Sequence, residues 1–222
     1  MRVKELVKDL VYRTNPLAVM RRKKMRRPLT NKTPSLLCPN CLGGILFHDL
    51  ALQFRSPTVN LMMKQPDFVK LVLNLDHYLD QELRFFEKPG YSCPCAKLDD
   101  LTVHFTDYPS PEAAAQKWEE RKRRIDRDNL FVFAAERDGL TKEEIVKLGR
   151  LKCRGLVVFT AGDYPDIPYA VQIPKYAKQG FVGNILEKNW KDESREYEQY
   201  FDFVRWLNEA NGAPYDAGAF VR

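Results

Sequence analysis

Three groups of polar residues in this 222-residue chain have the side-chain types that group transfer needs. The first is Asn40-Cys41-Leu42-Gly43-Gly44. Glycines let a backbone come close to a ligand, and the free N–H groups of a helix start favour an anion such as phosphate. Cys41 is a nucleophile where a neighbouring base lowers its pKa, and otherwise a small buried thiol. The second group is His104 and Asp107, within and just beyond an apolar run. A carboxylate at Asp107 can act as general base or hold a sugar hydroxyl, or simply close a turn. His104 is a substrate contact or a sheet-face histidine. The third is Glu136-Arg137-Asp138-Gly139, where an arginine can clamp a phosphate on two prongs, although Asp-Gly is a turn signal by itself. Asp107, Glu136 and Cys41 are therefore the candidate catalytic residues. Asn40, Gly43, Gly44, His104, Arg137, Asp138 and Thr160 are the candidate substrate contacts.

The elements that must position these residues are alternating strands and helices. Leu101–Phe105, Asn129–Phe133 and Gly155–Phe159 are apolar strands, each followed by polar residues and a further segment. In open α/β sheets ligands bind beyond the carboxyl ends of the strands, so these endings point to a pocket. Ser35–Cys38 reads as the first strand, with a turn at 39–44 and a helix over 45–52. Ser56–Leu61 reads as a short strand, Asp67 as the cap of a helix running to about Leu79, and 85–92 as a strand and loop. Ser110-Pro111-Glu112 is a helix start, and Thr141-Lys-Glu-Glu144 a capping box. A last helix is expected over Glu193–Glu209.

With 44% hydrophobic and 30% charged residues the composition is that of a globular domain. Neither a membrane-spanning run nor a signal peptide is visible, which points to the cytoplasm. The charge is uneven. Residues 1–32 hold eleven lysines and arginines against Glu5 and Asp9, a balance of +9, so with +6 overall the remaining 190 residues carry −3. Three parts are expected: a basic leader and linker over 1–32, one α/β domain over 33–210, and a tail over 211–222. Val3, Leu6, Val7, Leu10 and Val11 fall at helical spacing, and the run Arg21–Arg27 follows. Such a leader can lie on an anionic membrane surface through residues 1–27, or pack on its own domain. One aromatic, Tyr12, and no binding motif argue against nucleic acid.

Five cysteines in a chain of this kind do not suggest a disulfide framework. Between Cys38-x-x-Cys41 and Cys93-x-Cys95 lie 51 residues, and only one is a C-x₂-C pair, so no metal is expected. No dinucleotide or P-loop fingerprint is present, and no cofactor is expected.

Eight motifs stand in order over about residues 30–210: Cys38-Pro-Asn-Cys-Leu-Gly-Gly44, Ser56-Pro-Thr-Val59, Leu98-Asp-Asp-Leu-Thr-Val-His-Phe105 and Lys117-Trp-Glu-Glu-Arg-Lys-Arg-Arg-Ile125, then Asp128-Asn-Leu-Phe-Val132, Arg137-Asp-Gly139, Val157-Val-Phe-Thr160 and Phe201-Asp-Phe-Val-Arg-Trp-Leu-Asn208. On these motifs the sequence resembles a bacterial domain family labelled exopolysaccharide biosynthesis protein, and sometimes acetyltransferase. The family pattern has a non-cysteine at position 38 and an aromatic at 42, where this chain has Cys38 and Leu42. The resemblance implies a three-layer α/β/α sandwich around a mostly parallel or mixed sheet. It also implies a cytoplasmic role at the inner membrane face in capsule, exopolysaccharide or lipopolysaccharide biosynthesis. The expectation is a glycosyl- or acyltransferase taking a sugar nucleotide or lipid-linked glycan; a non-catalytic scaffold of the same machinery is the alternative.

Overall fold

Two apolar hexapeptides, Leu130–Ala135 and Gly155–Thr160, are buried at every position, as the inner strands of a covered parallel sheet must be. The computed structural model describes residues 15–222; the amphipathic pattern read in residues 1–14 lies outside the described residues. In chain order the elements are α1 (Pro16–Arg26), β1 (Ser35–Leu37), α2 (Leu42–Leu50), α3 (Gln65–Leu73), α4 (Leu75–Asp80), β2 (Leu83–Phe86), β3 (Cys95–Leu98) and β4 (Leu101–His104). They continue with α5 (Pro111–Lys122), β5 (Leu130–Ala135), α6 (Lys142–Leu148), β6 (Gly155–Thr160), β7 (Ala170–Gln172) and α7 (Phe203–Glu209).

The fold is α/β. A four-stranded sheet of order β1-β5-β6-β7 is parallel throughout, and β2-β3-β4 form a separate antiparallel sheet. The strand at Leu101–His104, expected beside β5 and β6, is in this second sheet. The cause is local. Leu98 and Leu101 pair directly across the turn Asp99-Asp100, with Asp99 at φ 56°, and a hairpin closes far more readily than a parallel pair, which needs a long crossover. The order β1-β5-β6-β7 also runs one way without reversing. A topological switch point is where such sheets open a ligand crevice, and these four strands contain none.

Other expectations shift for reasons visible in the hydrogen bonds. Ser56–Leu61 makes turns instead of a strand: the Ser56 and Thr58 hydroxyls bond at 2.9 Å, Thr58 accepts the Cys38 N–H at 3.0 Å, and Asn60 has φ 60°. Asp67 sits in the first turn of α3 and accepts the Thr102 N–H at 3.1 Å, which ties α3 to β4. The last helix is broken. A 3-10 turn at Glu196–Gln199 precedes α7, and Asp202 starts α7 afresh by accepting the Arg205 N–H at 3.0 Å. The Ser110 cap and the Thr141–Glu144 capping box form as their residues require.

Helix α7 covers the sheet face that carries Phe131, Phe133 and Phe159. The Trp206 ring meets Phe131 edge-on at 4.9 Å, and Phe203 contacts Phe133 at 5.9 Å and Phe159 at 6.0 Å. Gly155 makes room for this. A Cβ there would lie 2.6 Å from Phe131 and 2.9 Å from Trp206. Rings packed on both sides cannot give way freely, so Gly155→Ala is expected to lower stability by about 1–3 kcal/mol, the usual overpacking cost; urea unfolding measures it.

Half of the basic run Arg21–Arg27 is turned inward. Arg21 bonds Asp49 at 2.8 Å and also pairs with Glu198, Arg26 donates to the Asp49 carbonyl at 2.7 Å, and Arg22 is buried. Lys23, Lys24 and Arg27 remain exposed. The segment expected as a linker is held as well: Asn208 accepts the Thr30 N–H at 2.8 Å, and Asn31 donates to Asn129 at 2.8 Å. In the tail, Val221 bridges Phe201, and Tyr215 is buried beside Cys153.

Candidate functional site

The expected strand-end cluster separates into three places. One is the start of α2. Asn40 accepts the Leu42 N–H on its side chain at 2.9 Å, and Cys41 is the N-terminal flanking residue of the helix. The Thr106 hydroxyl donates to the Asn60 carbonyl at 3.4 Å, and both Thr106 and the Asp107 charge act on the Cys41 thiol. So β1, α2 and the loop after β4 bring Asn40, Cys41, Thr106 and Asp107 together, although β1 and β4 belong to different sheets. The segment 59–63 is the bridge between them. Met63 donates to the Pro39 carbonyl at 2.9 Å, Met62 and His104 exchange backbone bonds at 2.7 and 2.9 Å, and Tyr108 donates to the Val59 carbonyl at 2.9 Å.

Both glycines are packed. A Cβ on Gly43 would lie 3.2 Å from the Cβ of Cys38, and one on Gly44 only 2.0 Å from Oδ1 of Asn60. The Leu42 N–H, one donor of the helix start, is held internally by Asn40. The glycines thus let Asn60 and Cys38 approach the helix closely.

Electrostatics at this place divide the roles. Burial pushes the Cys41 thiol up, and the Asp107 charge adds to the effect. A thiol held protonated is a poor nucleophile at neutral pH. Asp107 is exposed, but partial desolvation by the surface around it raises its carboxyl above the ordinary aspartate value. That is the direction a general base needs. Cys38 is fully buried and its thiol is pushed far up by burial, so it is inert.

The second place lies beyond β5 and β6. Glu136 accepts the Ala161 and Gly162 N–H groups at 2.7 and 2.9 Å and the Tyr164 hydroxyl at 2.5 Å. Its bond to Glu136, with burial, pushes the Tyr164 phenol up to about 12. This carboxylate therefore braces one strand ending against the next. Arg137 bonds Asp138 at 3.3 Å and the Gly183 carbonyl at 3.4 Å. Asp138 has φ 54° before Gly139 at 90°, a left-handed turn. Thr160 is buried and donates to the Gly162 carbonyl at 2.8 Å.

His104 is the third. It is 3% exposed, with Nδ1 3.3 Å from the Cys95 sulfur, Nε2 3.4 Å from the Lys88 ammonium, and the Tyr91 ring stacked at 4.5 Å. Ligand atoms of Cys93, Cys95 and His104 all lie within 4.8 Å of one another. In the sequence, Cys93-x-Cys95 can be set only beside Cys38-x-x-Cys41, at a spacing that argues against a metal. The signal that joins it to His104 instead is the hairpin turn Asp99-Asp100.

Nothing in the sequence marks Asn60. Arg121, which its basic run places on a solvated helix face or turns toward the cleft, is 9% exposed; it donates to the Val59 carbonyl at 3.3 Å and to the Tyr108 hydroxyl, and lies over Phe54. It fastens α5 to the loop that carries Asn60.

A family model described as a domain of unknown function, DUF1919, matches residues 14–208. This chain belongs to the DUF1919 family. All three places just described fall inside the matched span. Within similar sequences, a Haemophilus influenzae protein named only as uncharacterized is 38% identical over 186 residues, covering 84% of this chain and 89% of its own.

Proposed function

We propose that this DUF1919 chain transfers a glycosyl or acyl group to a hydroxyl of a surface-polysaccharide precursor, with Asp107 as the general base. The observation that supports it is the Asp107 carboxyl, exposed and raised above its usual value, beside Cys41 and Thr106 at the start of α2. Glycosyl and acyl transfer share the step that such a carboxylate performs. Asp107 takes the proton of the acceptor hydroxyl while its oxygen attacks the donor, and the donor's leaving group departs with the bonding electron pair. Cys41, kept as a neutral thiol, and Thr106 line the approach of the acceptor. Glu136 is assigned to bracing, because its oxygens already accept three hydrogen bonds. The pathway itself rests on the family resemblance of the motifs.

Among the described residues no helix is long and apolar enough to cross a membrane. Attachment to an anionic membrane through residues 1–27 is part of the same proposal. Lys23, Lys24 and Arg27 are its exposed contacts in the described region, each contributing about 1 kcal/mol close to such a surface.

A thermal-shift screen of sugar nucleotides and acyl donors, followed by turnover assays with glycan acceptors, tests the reading. A ligand at about 100 times its Kd stabilises by about 2.7 kcal/mol. Turnover of a sugar nucleotide identifies glycosyl transfer and turnover of an acyl thioester identifies acyl transfer. Binding of a glycan without any turnover would instead establish the scaffold alternative.

A further inference from the structure

We propose that Cys93, Cys95 and His104 form a binding site for a thiophilic divalent cation, with Zn²⁺ as the natural occupant. The backbone builds it. Cys95 and His104 are direct partners across the β3–β4 hairpin. The N–H and C=O of His104 are both engaged with Met62 on the other side of β4, so the Cys95–His104 pair is of the non-hydrogen-bonded kind, in which facing side chains stand closest. Cys93 lies two residues before Cys95, at a bend just ahead of Pro94, and its sulfur is within 4.8 Å of the ligand atoms of Cys95 and His104.

The distances suit a metal. Tetrahedral zinc with sulfur at about 2.3 Å and nitrogen at about 2.0 Å sets its ligand atoms roughly 3.5–3.8 Å apart. Here Nδ1 of His104 is 3.3 Å from the Cys95 sulfur, and all three ligand atoms fit within 4.8 Å. Closing the set from within 4.8 Å takes a shift on the order of an ångström at Cys93, which is half-buried. Two thiolates and an imidazole select zinc over magnesium or calcium, which prefer oxygen. On binding, each thiol gives its proton to solvent and the imidazole binds through Nδ1, its proton moving to Nε2. The Lys88 ammonium, 3.4 Å from Nε2, then turns to solvent and to the face of Tyr91, whose centre is 4.4 Å from it.

Among the described residues no fourth Cys, His, Asp or Glu joins the group. Cys93 and Cys95 instead line a groove of about 850 Å³ with Lys88, Tyr91, Pro109 and Pro111. Three protein ligands with a fourth position facing a groove is the pattern of zinc sites that bind water or a substrate, in contrast to closed structural sites. The inference stands independently of Asp107.

The test is titration of the full chain, reduced and stripped of metal, with Co²⁺ and then Zn²⁺. One equivalent of Co²⁺ is expected to produce thiolate-to-cobalt charge-transfer and tetrahedral d–d absorption, which Zn²⁺ then removes. Cys93→Ser and His104→Ala should each weaken Zn²⁺ by more than the roughly 10–100-fold that outer-shell changes cost, while Cys41→Ser leaves binding unchanged. Because His104 is buried, circular dichroism checks its variant, and Cys93→Ser carries the test if that variant misfolds. Absence of the charge-transfer band in the wild-type protein, or its persistence in Cys93→Ser, would overturn the proposal.

Discussion

Replacing Arg21 with alanine is expected to lower the free energy of unfolding by about 3 kcal/mol, the lower end of the cost of removing one partner from a buried ion pair. The Arg21 guanidinium is held between Asp49, whose side chain is fully buried, and Glu198. Burial alone would lower its pKa, but hydrogen bonds and charge from Glu198 and Asp49 outweigh that and raise it. The contacts join residues 28 and 177 positions apart, so losing them loosens α1 on both α2, where Arg26 still holds the Asp49 carbonyl, and the 3-10 turn at 196–199. Arg21→Lys should recover only part of the loss, because an ammonium cannot present the planar fork that bonds two carboxylates. Denaturant unfolding with an unchanged m-value would report it. A loss under about 1 kcal/mol would show that the Arg21 ion pairs do not hold α1 in place.

The second large effect is chemical. Asp107→Asn is expected to reduce transfer by about 10²–10⁴-fold, the usual contribution of a general base, without loss of stability. The sign of the stability change follows from the direction of the shift. A carboxyl raised in the folded state binds its proton more tightly there than in the unfolded chain, so stability falls as pH rises from the ordinary aspartate value through the raised one. Above that window the charged carboxylate is a net cost to the fold, and asparagine removes it. Activity lost with stability kept or slightly gained separates a catalytic carboxylate from a structural one. Glu136→Gln should show the opposite pattern, because a neutral amide accepts less strongly from the Ala161 and Gly162 N–H groups.

Parts of this arrangement were legible in the sequence because their signals are local. The hexapeptides at β5 and β6 are apolar throughout, and the caps at Ser110 and Thr141 are written in two to four residues. The placement of β4 is not legible from its apolar run, which matches those of β5 and β6; the signal that decides its sheet is Asp99-Asp100 before it. Taking that pair as a two-residue turn places position 95 opposite position 104 and brings Cys95 to His104. Other features leave no local trace. Nothing in Arg21-Arg22-Lys23-Lys24 says which cation meets an acid 28 or 177 positions away. The same holds for Asp107 and Cys41. Their meeting depends on how the 59–63 segment joins the two sheets, and each residue alone reads as a turn aspartate and a small thiol.

The pH dependence of transfer tests the role of Asp107 most directly. With a raised carboxyl acting as base, kcat/KM should fall as pH drops through an acid limb that lies above the ordinary aspartate value, and the Asp107→Asn variant should lose that limb along with its rate. A profile without the limb, or a limb that survives unchanged in Asp107→Asn, would contradict the assignment.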